Sequence, residues 1–116
     1  MTKIFHNPKC SKSRETLALL QERGVEPTVV EYLKTPPDRT ELAQIVAALG
    51  IAPRALLRRK EARYAALGLD DPKWTDEELL DFMVANPVLI ERPIVVTAQG
   101  ARLGRPPEAV LEILDR

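Results

Sequence analysis

The sequence predicts an α/β domain that contains a mixed four-stranded sheet and a helical insert. Three observations favour this class: a strand–helix–strand pattern at the N-terminus, an all-helical middle over about residues 35–86, and two strands with a helix at the end. At 116 residues the chain can bury one hydrophobic core without a disulfide or a metal. We therefore expect a single domain over residues 1–116 that includes the insert.

The N-terminal segment predicts a parallel pair of strands joined by a helix. A short apolar stretch, Lys3–His6, reads as the first strand, and the β-branched and aromatic run Thr28–Leu33 as the second. Between them a helix runs to about Arg23, and either Ser11 or Ser13 can cap it. A βαβ unit of this length has parallel strands and a right-handed crossover.

The middle of the chain predicts helices alone. Apolar residues at helical spacing indicate a helix over Asp38–Leu49, and a second, short helix is expected over Pro53–Lys60. Thr75 and Glu78 have the spacing of a capping box, which predicts a helix from there to about Asn86.

The C-terminal part predicts a hairpin and a last helix. Pro93–Thr97 and Ala101–Leu103 are strand-like runs around a Gln-Gly turn, so we expect them to pair antiparallel. Pro106 and Pro107 then lead into a helix. The order βαβ, helical insert, ββα is that of a thioredoxin-like fold.

Composition excludes several classes of function. Lys plus Arg equals Asp plus Glu, so no net charge attracts nucleic acid or an anionic membrane. One cysteine and one histidine cannot form a structural zinc site, and we expect no metal. Nothing resembles a signal peptide or a membrane span, which together with a free thiol predicts a cytoplasmic protein.

Cys10 is the best candidate for a reacting atom. It lies where a turn leads into the first helix, so the helix dipole and free N–H groups favour the thiolate. His6, Lys9, Lys12 and Arg14 add positive charge nearby. The alternative is an unreactive, buried cysteine, but the position and the basic surroundings favour a reactive thiol.

Ser13 stands where a Cys-x-x-Cys oxidoreductase has its second cysteine. A dithiol cycle is therefore impossible within this chain, and any resolving thiol must come from another molecule. Ser11 and Ser13 are expected to cap the helix, and they could also contact the thiolate or a bound oxyanion. His6 could tune the thiol or simply be a polar strand residue, and the sequence leaves both open.

Three arginines form the second signal. Arg58 lies in a basic cluster, whereas Arg92 and Arg105 each precede a proline near the predicted hairpin. The planar guanidinium donates two parallel hydrogen bonds and suits a tetrahedral oxyanion, although any one of the three could be a solvated surface charge. In thioredoxin-like folds the proline that opens this strand is commonly cis and faces the thiol. Pro93 fills that position and would place Arg92 near Cys10.

Four segments together resemble the glutaredoxin-coupled arsenate reductases. They are His6–Arg14, Arg54–Arg58, Glu91–Val96 and Gly104–Pro106. The resemblance implies that Cys10 attacks arsenate, and that Arg58, Arg92 and Arg105 bind the oxyanion. It also implies that His6 modulates the cysteine and that Pro93 is cis. Ser11, Ser13 and Arg14 would support the site.

The same resemblance implies the partners. Arsenate is the expected substrate, glutathione the co-substrate and glutaredoxin the protein partner, with no bound cofactor and a monomeric chain. The end at Arg116 suggests the short, housekeeping branch of the family. The alternatives are a glutathione-dependent thiol reductase with another substrate and a non-enzymatic, Spx-like redox regulator. Ser13 and the intact arginine set argue against the regulator.

Overall fold

A computed structural model describes residues 2–114 as two compact units. The first comprises the described residues up to Thr35 and from Arg92 onward, and the second comprises Pro36–Glu91. The second unit includes the region predicted as the helical insert. The single-domain organisation over the whole chain stays a prediction.

The first unit is built on a mixed four-stranded sheet. Its strands are β1 (Lys3–His6), β2 (Thr28–Glu31), β3 (Ile94–Thr97) and β4 (Gly100–Leu103), in the spatial order β2-β1-β3-β4. β1 pairs parallel with β2, whereas β3 pairs antiparallel with both β1 and β4. The parallel pair, the hairpin and the predicted mixed sheet are confirmed.

Two helices cover this sheet. Helix α1 spans Ser11–Glu22, and the predicted last helix forms as a 3₁₀ helix over Pro107–Ile113. Both contribute to one core of buried apolar side chains: Ile4, Leu20, Val95, Val110, Ile113 and Leu114. Because Ile4 pairs with Val95 at the centre of the sheet and Leu20 belongs to α1, the core holds β1 and α1 against each other.

The second unit contains helices α2 (Arg39–Leu49), α3 (Ala62–Ala66) and α4 (Asp76–Ala85), with 3₁₀ helices at Pro53–Leu56 and Pro87–Leu89. The capping box of α4 is present, since Thr75 Oγ1 accepts from the Glu78 N–H. The apolar faces of α2 and α4 pack against each other.

Local predictions differ from the structure at two points. The helix predicted over Pro53–Lys60 ends at Leu56, because Leu57 pairs with Ile90 in an isolated antiparallel bridge. The second strand ends at Glu31 rather than Leu33, because the chain turns and the Lys34 N–H donates to the Glu31 carbonyl at 2.9 Å. Among residues 2–114, no helix has the length and apolarity that crossing a bilayer requires.

Candidate active site

Cys10 is the N-cap residue of α1. Its backbone is extended, and its N–H donates to the Asn7 carbonyl at 3.0 Å, which closes the turn between β1 and the helix. The prediction that Ser11 or Ser13 caps this helix is wrong, because the helix begins at Ser11 and its N-cap residue is Cys10. Only 9% of Cys10 is exposed.

Ser13 supports the loop before the cysteine instead of the helix end. Its side chain is fully buried, and its Oγ accepts the Asn7 N–H at 3.3 Å. Asn7 Oδ1 accepts the Lys9 N–H at 3.0 Å, and Arg14 Nη1 donates to the Pro8 carbonyl at 3.0 Å. These three hydrogen bonds hold the Asn7–Lys9 loop against the first turn of α1.

The thiol of Cys10 ionises more readily than an ordinary cysteine. Burial alone would raise its pKa, but weak hydrogen bonds from the Ser13 N–H, the Arg92 side chain and the Lys12 N–H, together with the Arg92 charge, lower the pKa to about 7. About half of the cysteine is therefore thiolate at neutral pH. The depressed pKa expected from the sequence is confirmed.

Arg92 lies beside this thiol, and Arg105 lies against the backbone of Arg92. Arg92 hydrogen-bonds the sulfur of Cys10, and Arg105 Nη1 donates to the Arg92 carbonyl at 3.2 Å. The Arg92–Pro93 peptide bond is cis, as predicted, and the Arg105–Pro106 bond is also cis, which the sequence analysis did not predict. The segment that enters the hairpin thus presents the Arg92 guanidinium to the thiol at the N-terminus of α1.

Two residues that the sequence analysis missed as site residues hold the hairpin against α1. A methyl group at Gly104 would come within 2.4 Å of Thr16 Oγ1 and 2.7 Å of Pro93 Cγ, so only glycine fits. Thr16 is fully buried in α1, and its hydroxyl donates to the Lys12 carbonyl at 2.8 Å. The one available signal was Gly104 itself, a glycine between a strand and the Arg105-Pro106 pair.

His6 ends β1 with 6% of its surface exposed. Burial and the nearby Arg14 charge lower its pKa, while the Glu31 carboxylate opposes them, so the imidazole is neutral at pH 7. Its Nδ1 is buried and has no hydrogen-bond partner within residues 2–114. The part played by His6 in tuning the thiol stays a prediction.

Arg58 belongs to the second unit. Its Nη1 donates to Glu91 Oε1 at 2.6 Å, and its Nε donates to Glu61 Oε1 at 3.3 Å. With 18% of its side chain exposed, Arg58 is held by two carboxylates rather than freely solvated. Its predicted role as an oxyanion ligand is not tested by these contacts. Ser11 is exposed at the first position of α1.

Comparison with known proteins decides the family. The model of the ArsC family matches residues 5–113, which is most of the chain. The chain belongs to the ArsC family. An arsenate reductase of Escherichia coli strain K12 is 54% identical over 111 residues, covering 96% of this chain and 79% of the relative. The uncharacterized protein YfgD of the same strain is 56% identical over 113 residues, covering 97% of this chain and 95% of the relative.

A solved structure agrees with this ArsC assignment. The arsenate reductase from Vibrio cholerae superposes with a TM-score of 0.95 at 53% identity, covering 97% of each chain. The predicted thioredoxin-like α/β class and the family resemblance are therefore confirmed. Within the part of the ArsC chain that the structure describes, no group of three or more His, Cys, Asp or Glu side chains could hold a metal ion.

Proposed function

We propose that this protein is an arsenate reductase in which Cys10 is the nucleophile. The observation that supports this most directly is a cysteine with a pKa of about 7 that Arg92 hydrogen-bonds at a helix N-terminus. A thiolate attacks electrophilic centres, and a guanidinium with helix N–H groups stabilises an oxyanion beside it. Two members of the same family that are 54% and 55% identical to this chain over 111 residues carry the name arsenate reductase.

The proposed oxyanion site combines the N-terminus of α1 with arginine side chains. Arg92 and Arg105 are its ligands in the first unit, where they are joined through the Arg92 carbonyl. Arg58 is proposed as the third ligand on the resemblance of residues 54–58 to the family. Binding an oxyanion would require Arg58 to exchange its ion pair with Glu61 or Glu91. Bidentate hydrogen bonds make arginine the preferred partner for such an anion.

The proposed reaction balances without a bound cofactor. The Cys10 thiolate forms a bond to arsenic and one arsenate oxygen leaves as water, which gives a thiol–arsenate adduct. Glutathione attacks the arsenic of the adduct next and a second oxygen leaves as water, because the chain has no second cysteine. The glutaredoxin thiolate then attacks the glutathione sulfur, which joins the two external thiols as a disulfide and leaves two electrons on arsenic. Water breaks the bond between arsenic and Cys10, so arsenite leaves and Cys10 returns as the thiolate.

The remaining features of the proposal follow from this chemistry. A reducing compartment keeps Cys10 as the free thiol that the cycle requires, so we place the protein in the cytoplasm. We also propose that it acts as a monomer. Glutathione and glutaredoxin are its proposed reductant and protein partner. His6, Ser11, Ser13, Arg14 and Pro93 are proposed to support the site, Ser13 and Arg14 by fixing the loop before Cys10.

A coupled assay tests the proposal. NADPH consumption is followed with arsenate, glutathione, glutaredoxin and glutathione reductase, and wild type is compared with Cys10→Ser. We expect turnover only in wild type, because a serine hydroxyl is not ionised at neutral pH and cannot form the adduct. Circular dichroism of Cys10→Ser controls for folding. Turnover in the variant would exclude Cys10 as nucleophile. Turnover of a glutathione mixed disulfide but not of arsenate would favour the general thiol reductase.

A further inference from the structure

A cavity of about 210 Å³ opens directly beside the cysteine loop of the first unit. One side is formed by His6 and the loop Asn7–Lys9, and the other by Glu31, Leu33 and Lys34 at the end of β2. We call it the loop cavity. Its lining thus includes the residue that directly precedes the proposed nucleophile, Cys10, in the chain.

The wall of the loop cavity is rigid. The Asn7–Lys9 loop is tied by the hydrogen bonds from Arg14 to Pro8 and from Asn7 to Ser13. His6, of which 6% is exposed, also lines the cavity, at the end of β1. A wall ordered in advance loses little conformational entropy when a ligand binds, which favours affinity.

The charges around the loop cavity form a distinctive set: two ammonium groups, on Lys9 and Lys34, and one carboxylate, on Glu31. Lys34 Nζ lies 3.5 Å from Glu31 Oε1, with side chains that are 79% and 44% exposed. Such an exposed pair contributes little stability, so a ligand can exchange it at small cost. Leu33, 47% exposed, adds an apolar surface that solvent would otherwise cover.

We propose that the loop cavity binds the glutathione used in the proposed reduction. The γ-glutamyl end of glutathione carries one ammonium and one carboxylate, which match Glu31 and Lys9, and the carboxylate of the glycine end, outside the cavity, matches the exposed Lys34. The cavity is smaller than the roughly 300–1,000 Å³ of sites that enclose a whole drug-sized ligand, so it holds one end of the tripeptide. The central cysteine of the tripeptide then remains outside the cavity. The side chains of Leu33 and Pro8 contact the methylene groups of the end that is bound in the cavity.

This inference rests on the proposed function, since it names where the external thiol of that reaction binds. The binding test uses S-methylglutathione, which cannot react, so it does not depend on turnover. Titration into the ¹⁵N-labelled wild-type protein should shift the amide signals of residues 7, 9 and 31–34. Lys9→Glu and Lys34→Glu should each weaken binding by about 10-fold or more, because a carboxylate would then face a carboxylate.

Arg23→Glu is the matched control. Arg23 is exposed at the opposite end of α1 and undergoes the same change of charge. The Arg23→Glu variant should therefore bind S-methylglutathione with the affinity of the wild type. Leu33→Ser, at an exposed position, tests the apolar contact without a change of charge and should also weaken binding. The amide spectrum of each variant reports on its folding. Unchanged affinity in Lys9→Glu, Lys34→Glu and Leu33→Ser, or signals that shift elsewhere, would overturn the inference.

Turnover separates this inference from the proposed function. In the coupled assay, Lys34→Glu should raise KM for glutathione about 10-fold and leave KM for arsenate unchanged. Binding of S-methylglutathione in the loop cavity without arsenate turnover would refute the proposed function and leave the inference standing. Arsenate turnover with equal KM for glutathione in all variants would do the reverse.

Discussion

Replacing Arg92 by methionine should raise the pKa of the Cys10 thiol by about one unit. In the wild type, burial opposes ionisation of this thiol, but the N–H groups of α1 and the side chain of Arg92 outweigh it and hold the pKa at about 7. Methionine retains the apolar stem and removes both the charge and the hydrogen-bond donors. The thiolate then depends on the helix N-terminus alone.

The expected magnitude can be worked from this pKa. A thiol with a pKa of about 7 is half ionised at pH 7. A thiol with a pKa one unit higher is only about one tenth thiolate at that pH, and the free energy of ionisation differs by about 1.4 kcal/mol. A more basic thiolate is intrinsically about threefold more nucleophilic. The alkylation rate at pH 7 should therefore fall only about twofold, while the midpoint of its pH profile moves by the full unit.

The measurement is the rate of iodoacetamide alkylation as a function of pH. Arg102→Met is the control, because Arg102 lies on β4 of the same unit and donates to Glu112 at 2.9 Å. Its midpoint should match that of wild type. A midpoint in Arg92→Met that equals the wild-type value would refute the reasoning, since Arg92 would then make no contribution to the ionisation of Cys10. An equal shift in Arg102→Met would show a general charge effect.

Three further predictions concern stability and turnover. The free energy of unfolding of wild type relative to Cys10→Ser should increase by about 2 kcal/mol as the pH rises from below 7 to above about 8.5. The depressed pKa of the folded thiol stabilises the native state at pH values above the pKa of the unfolded thiol, and this contribution is lost as the pH falls through 7. A difference between wild type and Cys10→Ser that denaturant unfolding finds to be independent of pH would contradict this. Gly104→Ala should lower the free energy of unfolding by about 1–3 kcal/mol, because the added methyl group meets Thr16 and Pro93. The double change with Thr16→Ala should lower it by less than the sum of the two single changes. Strict additivity in thermal unfolding would argue against the contact. Arg105→Ala should lower kcat/KM for arsenate by about 2–4 kcal/mol of transition-state stabilisation, and a wild-type value in the coupled assay would remove Arg105 from the oxyanion site.

The local architecture of this protein could be predicted from the sequence because its signals lie within a few residues. The capping box at Thr75 marks the start of α4. Gly50, which adopts a φ of 70°, marks the end of α2. Alternating or β-branched runs likewise define the strands. The place of Cys10 at the start of α1 follows from the same local order, and with it the favoured thiolate.

Long-range contacts decided the rest. The backbone of Gly104 approaches Thr16 through packing between segments far apart in the chain. The contact of Arg92 with the Cys10 sulfur is also long-range, and it was expected only from the position of Pro93 in thioredoxin-like folds. Periodicity reports which face of an element is apolar, but it does not report which distant backbone will lie against it.

Local signals also misled where tertiary contacts competed with them. Ser13 has the chemistry of a helix cap, yet its hydroxyl accepts the Asn7 N–H of the preceding loop, and the N-cap position belongs to Cys10. The helix expected beyond Leu56 is replaced by a bridge from Leu57 to Ile90. In both places a backbone group supplied by another segment satisfied the hydrogen bond that the local pattern had assigned elsewhere. The sequence alone thus predicted which groups form the candidate site, because their signals are local, and the tertiary structure determined what surrounds them.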